Sequence, residues 1–167
     1  MPQPKRKKQW STKPGLHKII INCSIGEEMS NPNISKRLNN QIRLITGQIS
    51  SMTRAKKAIA NFKVRKGMPI GQKSTLRDEK MESFVQKLVH LVFPRVRDFQ
   101  GLPSSSFDGC GNYSFGLPDQ SVFAELESEY KASELNSTYG FTITLVTTAE
   151  NDDDGLLILK NYGFPFA

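Results

Sequence analysis

The stretch from Asp78 to Pro94, "DEKMESFVQKLVHLVFP", constrains the fold of this chain more than any other. Met81, Phe84, Val85, Leu88, Leu91 and Val92 recur at the spacing that lines one side of an α-helix, and such a stripe has to be buried against a second layer. Asp78 stands where a cap belongs, Glu79 and Glu82 suit the positive end of the helix dipole, and Pro94 ends the run. His90 lies beside the stripe and reads as a structural histidine. A second helix is written from Asn33 to Thr46, where Ile34, Leu38, Ile42 and Ile45 repeat every three or four residues and Gly47 supplies the stop. Lys36, Arg37 and Arg43 fall off that stripe and point outward.

Other segments follow a two-residue period. "LHKIIINCSIG" suits a buried strand ending in a turn from Ser24 to Gly26, with His17 at its exposed start. "YGFTITLVTTA" alternates Phe141, Ile143 and Leu145 with threonines, as a half-buried antiparallel strand does. "RVRDFQGLPSSSFDGCGNYSFGLPDQ" reads as turns joining short strands, and "NDDDGLLILKNYGFPF" as a closing helix stopped by Gly163. The two periods mix without regular strand and helix alternation. That pattern gives an α+β fold, a mainly antiparallel sheet with helices packed on one side. With 167 residues, one domain over 16–167 is expected, preceded by a basic arm, residues 1–15, that carries Lys5, Arg6, Lys7, Lys8 and Trp10.

"FKVRKGMPIGQKSTLR", residues 62–77, reads as a hairpin turning at Gly67 to Gly71. Alternation places Phe62 and Val64 opposite Lys63 and Arg65, and on the returning strand sets Lys73, Thr75 and Arg77 opposite Gln72, Ser74 and Leu76. In the simplest register one side of the ribbon is apolar and the other is a ladder of cations. Glycine and proline at the tip would let a projecting basic loop keep a defined shape.

The net charge of +7 conceals a division along the chain: residues 1–100 hold 21 Lys or Arg against 6 Asp or Glu, and residues 101–167 hold 2 against 10. The basic part has the footprint of a polyanion binder, since each phosphate neutralised by Lys or Arg releases counterions. The acidic part should face away from phosphates or toward a basic protein. Cys23 and Cys110 match no ligand spacing, so no metal site, no disulfide and a reducing compartment are expected. No run approaches the ~18 apolar residues of a membrane span. Nor does any motif call for a cofactor or a catalytic role. Gly-x-Ser-x-Gly is absent, Gly109-Cys110-Gly111 lacks the rest of a dinucleotide fingerprint, and Asp152 to Asp154 suit a helix dipole better than a cation.

Taken in order, "IIINCSIGE", "ITGQ", "TRAKKAIANFKVRKGMPIGQKSTLRDEKM", "FPRVRDFQGLPSSSFDGCGNYSFGLPDQSVF", "GFTITLVTTA" and "GFPF" closely resemble the universal large-subunit ribosomal protein five family, the bacterial-type 5S-rRNA-binding protein. The resemblance runs from about Leu16 to Phe166. It implies a non-enzymatic protein of the central protuberance that binds 5S rRNA, touches large-subunit rRNA and other central-protuberance proteins, and reaches P-site tRNA through its basic hairpin. It also implies an intersubunit bridge to a basic protein of the small-subunit head. The charge division agrees with this.

Carried over by position, the resemblance assigns 5S rRNA contacts to Asn22, Gln48 and Thr75, short polar side chains suited to sugar hydroxyls and phosphate oxygens. Lys36, Arg37, Arg54, Lys56, Lys57, Lys73 and Arg77 would add phosphate contacts. The tRNA contact falls on Lys63, Arg65, Lys66, Gly67, Met68 and Pro69, and the bridge on Phe107, Asp108, Gly109, Asn112 and Tyr113. Three departures stand out: the basic arm replaces the family's usual amino-terminal helix, Asp78 stands where glycine generally follows "TLR", and Cys110 occupies an often basic position. The substitutions at Asp78 and Cys110 point toward an organellar ribosome, mitochondrial or plastid, rather than a bacterial cytoplasm. The alternative reading is a free-standing RNA-binding regulator that uses aromatics such as Phe62 and Tyr113; a nucleotide-dependent enzyme has only the Gly109 loop in its favour.

Overall fold

The computed structural model describes residues 15–26, 31–127 and 139–167. The basic arm up to Pro14, Trp10 included, lies outside them. Five strands form one antiparallel sheet: β1 (Leu16–Ser24), β2 (Ser51–Arg54), β3 (Pro69–Leu76), β4 (Tyr113–Leu117) and β5 (Phe141–Thr147), in the order β2-β3-β1-β5-β4. Among the described residues, three α-helices complete the α+β fold: α1 (Pro32–Thr46), α2 (Asp78–Lys87) and α3 (Asp152–Asn161).

The period of two decides which face of the sheet is covered. Ile19 pairs with Leu76, Ile21 with Ser74 and Cys23 with Gln72 across β1 and β3, and all six are buried. The same face continues through Leu145, Ile143 and Phe141 of β5 to Tyr113 and Leu117 of β4, joining Leu38, Ile42, Phe84, Leu88 and Leu159 of the helical layer in one core. Alternate residues form the other, open face.

Helix α1 begins at Asn31, whose side chain accepts from the Asn33 amide, and ends at Gly47 in the left-handed region. Gln72 ties β3 to α1: its Nε2 donates to the Ser35 carbonyl at 2.7 Å, and its Oε1 accepts from Ser50 Oγ at 2.6 Å.

Helix α2 departs from expectation at both ends. Its cap is Arg77, and Asp78 is the first helical residue, at φ +52. Glycine adopts that conformation freely and aspartate tolerates it better than most residues, so the local backbone explains why glycine is usual there. Past Lys87 the chain tightens no further but loosens into a π-turn over Leu88–Val92. The wider turn rotates the stripe, so Val92 and Phe93 are buried while Leu91 is 53% exposed and His90 faces outward. Leu91 is therefore not core, and His90 is not a buried structural residue.

Neither cysteine is in a disulfide; Cys23 is buried and Cys110 half-buried. Burial pushes the Cys23 thiol from 9.0 up to about 12. The unfolded chain releases that proton near pH 9 and the native one holds it, so the contribution to stability is complete below pH 9 and is lost as pH rises toward 12. By about pH 10 the loss should reach about 1.4 kcal/mol. Urea melts at pH 8 and pH 10 should show that loss in the native sequence and its absence in Cys23→Val.

Candidate nucleic-acid interface

The open face is assembled from all five strands. One row runs Ser51, Lys73, Asn22, Thr142 and Gly116, and the next runs Thr75, Ile20, Thr144 and Ser114. Asn22 thus lies directly opposite Lys73, and Thr75 stands one row away on the same surface. Gln48, half-buried after α1, reaches the same place by donating Nε2 to the Thr75 carbonyl at 3.0 Å. Its segment is held by Thr46 Oγ1, which accepts from the Gln48 amide at 3.1 Å and donates to the Ile42 carbonyl at 2.7 Å. Three segments distant in sequence therefore meet at one patch, bringing together Asn22, Gln48, and the pair Lys73 and Thr75. Thr142, Thr144 and Ser114 extend it, the last two with hydroxyls 3.0 Å apart. The threonine alternation in "GFTITLVTTA" is the sequence signal for Thr142 and Thr144.

The remaining cations sit elsewhere. Lys36 and Arg37 belong to α1, on the helical side of the sheet. Arg77, exposed, caps α2.

Phe62–Arg65 does not pair with Gln72–Arg77 as a two-stranded ribbon. The partners of β3 are β1 and β2, and residues 55–68 form a loop between β2 and β3. The expected partition of β3 still holds, with Gln72, Ser74 and Leu76 buried and Lys73 and Thr75 half-exposed opposite them. The loop is closed at its base by Ala55 N to Met68 O and Gly67 N to Ala55 O, both 2.9 Å, and Arg54 Nη1 donates to the Gly67 carbonyl at 3.0 Å. Halfway along, Ile59 and Val64 form a bridge, and a short turn over Ala60–Phe62 leads to Lys63 at φ +50. The turn is therefore Ala60 to Lys63, while Pro69 and Gly71 belong to β3. A Cβ on Gly71 would stand 3.0 Å from Ser24 Cα and nearer still to the Cys23 carbonyl, so glycine there serves close strand approach. Phe62 is not a backing residue: it is 69% exposed.

The loop 107–113 is built around two carboxylates. Asp108 Oδ1 accepts from the Cys110 and Asn112 amides at 2.9 and 3.0 Å. Asp152, at the start of α3, accepts from Gly111 N with Oδ1 at 2.9 Å and from Gly109 N with Oδ2 at 3.1 Å. Asp152 is thus a loop anchor as well as a dipole partner, a role its sequence context did not reveal. Phe107 is half-buried, and Tyr113 is fully buried among Phe107, Phe115 and Phe166, its hydroxyl donating to the Pro103 carbonyl at 2.8 Å. Desolvation holds the Tyr113 phenol above its ordinary range, partly offset by Ser106. Tyr113 offers no stacking surface, and the exposed part of this loop is Asp108 and Gly109.

Among the described residues, no group of His, Cys, Asp and Glu could hold a metal ion, and no helix is long and apolar enough to cross a membrane. Two family models match: ribosomal protein L5 over residues 11–65, and the C-terminus of the same ribosomal family over residues 69–166. The chain belongs to the ribosomal protein L5 family. It is 50% identical over 153 residues to the large ribosomal subunit protein uL5 of Thermotoga maritima, covering 92% of this chain and 81% of that protein. The uL5 proteins of Fusobacterium nucleatum and Leifsonia xyli are 46% and 45% identical over the same share of this chain, covering 81% and 76% of their own lengths. Membership makes this a structural, non-enzymatic protein of the large ribosomal subunit. These uL5 relatives are bacterial and give no preference for an organelle.

Proposed function

We propose that this chain holds 5S rRNA of the central protuberance on the open face of its sheet. The observation that carries the reading is the patch itself: Asn22 opposite Lys73, with Gln48 clasping the Thr75 carbonyl beside them. Short hydrogen-bonding groups on a firm sheet, with one cation among them, suit sugar hydroxyls and phosphate oxygens of folded RNA. Large-subunit rRNA is the further partner of Lys36, Arg37 and Arg77.

Loop 55–68 is proposed to meet P-site tRNA through Lys63, Arg65 and Lys66, while Gly67 and Met68 fix its base. Loop 107–113 is proposed to meet a basic protein of the small-subunit head. Its acidic surface, with Asp108 and the neighbouring start of α3, fits that charge. Two expectations change weight here: Tyr113 is withdrawn from the bridge surface, and Asp78, seated in a left-handed position it tolerates, no longer speaks for an organelle.

The test is binding of the full chain to cognate 5S rRNA and to an unrelated hairpin RNA of equal length, at about 150 mM salt. Specific recognition predicts affinity at least about a thousandfold higher for 5S rRNA, by analogy with other specific nucleic-acid complexes. Equal affinities would overturn it. A free-standing regulator that stacks bases would present aromatics on the sheet, and the open face of the five strands carries none.

A further inference from the structure

Ile59, Phe62, Val64 and Ile70 line a groove of about 690 Å³ with Lys56 and Lys57 on its lip. Two of its members are conspicuously uncovered among the described residues, Phe62 at 69% and Ile59 at 47% exposed. Apolar side chains left in water at the tip of a cationic loop call for an occupant. Residues 55–70 contain no carboxylate, and Lys56, Lys57, Lys63, Arg65 and Lys66 form no ion pair with any described residue.

We propose that Phe62 is a stacking platform for one unstacked nucleobase of RNA, held in this groove while the surrounding cations take the phosphates on either side of it. This rests on the reading that loop 55–68 meets tRNA, and it goes further by naming a base-binding site. A greasy floor ringed by positive charge that no described residue offsets matches a ligand that carries both a flat aromatic face and anions. RNA joins the two in every nucleotide. A hydrophobic protein segment would fill the floor and leave the cations without partners.

The turn is shaped for the task. Phe62 N donates to the Ile59 carbonyl at 3.3 Å, Lys63 N to the Ala60 carbonyl at 3.0 Å, and Ile59 and Val64 exchange both backbone bonds, at 2.9 and 3.2 Å. The ring is therefore carried on a fixed backbone, which lowers the cost of ordering it when a base arrives.

The test uses the full chain with Trp10→Phe and Phe62→Trp, which leaves the new indole as the sole tryptophan. Adding tRNA should quench its emission, and heparin, a dense polyanion without bases, should not. Equal responses to both polymers, or none to tRNA, overturn the proposal. In parallel, Phe62→Ala should weaken tRNA binding about tenfold at every salt concentration, with Phe62→Tyr close to native. Lys63→Glu with Arg65→Glu should instead flatten the salt dependence. If that pair weakens binding while Phe62→Ala does not, the stacking site is wrong and the loop contact stands; if neither matters, both fall. Loss of attachment to ribosomal protein at unchanged tRNA affinity would assign the groove to a protein and overturn the proposal.

Discussion

Lys73→Glu is expected to weaken binding to cognate 5S rRNA by about a hundredfold while leaving the melting temperature within about 2 °C of the native value. Lys73 stands between Ser51 and Asn22, one strand in from the edge of the open face, and its ammonium is the only charge in that row. Reversal removes a charge-assisted bond of about 1.5–3 kcal/mol and sets a carboxylate against phosphate oxygens. Stability barely changes, because neither cross-strand neighbour is charged and Lys73 has no ion pair with any described residue. Asn22→Ala should cost about tenfold, and the double variant less than the product, since the two residues share one contact. The salt slope should fall by about one on losing Lys73. An unchanged affinity for Lys73→Glu would remove the open face from the interface.

That test depends on a surface only half legible in the sequence. Alternation in "GQKSTL" separates Lys73 and Thr75 from Gln72, Ser74 and Leu76, because a strand has two sides whatever its partner. Alternation does not name the partner. The nearest alternating neighbour is Phe62–Arg65, yet β3 lies between β1 and β2, so Asn22 meets Lys73 across fifty residues of intervening chain. The charged pattern of residues 62–65 is that of a loop solvated on all sides, which in a short stretch is indistinguishable from a strand's outward face. Leu91 misleads for a similar reason: helical spacing assumes a constant turn, and the π-turn at Leu88 changes it. Tyr113 has serine and asparagine beside it in sequence and is buried by Phe107, by Phe115 two residues along its own strand, and by Phe166, a ring from the far end of the chain that no local pattern connects to it. For Asn22, Gln48 and Thr75 the sequence offers only the family resemblance; strand register brings Asn22 and Thr75 to one surface, and a side-chain hydrogen bond brings Gln48 to them.

Gly155→Val should lower the melting temperature by about 6–12 °C, the equivalent of about 3 kcal/mol in a chain of this size. The first turn of α3 lies on the 107–113 loop with no side chain between them. A Cβ at Gly155 would stand 2.7 Å from the Gly111 carbonyl oxygen, 2.9 Å from Gly111 Cα and 3.1 Å from Phe107 Cε1. The loop cannot retreat cheaply, because Gly111 N is held by Asp152 and Gly111 O accepts from Thr147 Oγ1 at 2.5 Å in the buried interior. Nor can Gly111 itself be filled: at φ +74, its own Cβ would meet Ala149 Cβ at 2.7 Å and the Asn151 carbonyl at 2.8 Å. Alanine at 155 should cost less, about 2 kcal/mol, since better helix propensity offsets part of the clash. Leu157→Ala, at a site 60% exposed on the same helix, controls for surface change and should melt within about 2 °C of native. Because Asp152 rides on the displaced turn, Gly155→Val should also speed hydrogen exchange at the Gly109 and Gly111 amides, the backbone that shapes the proposed bridge loop. Native melting together with native exchange would mean that α3 and the loop do not touch this closely.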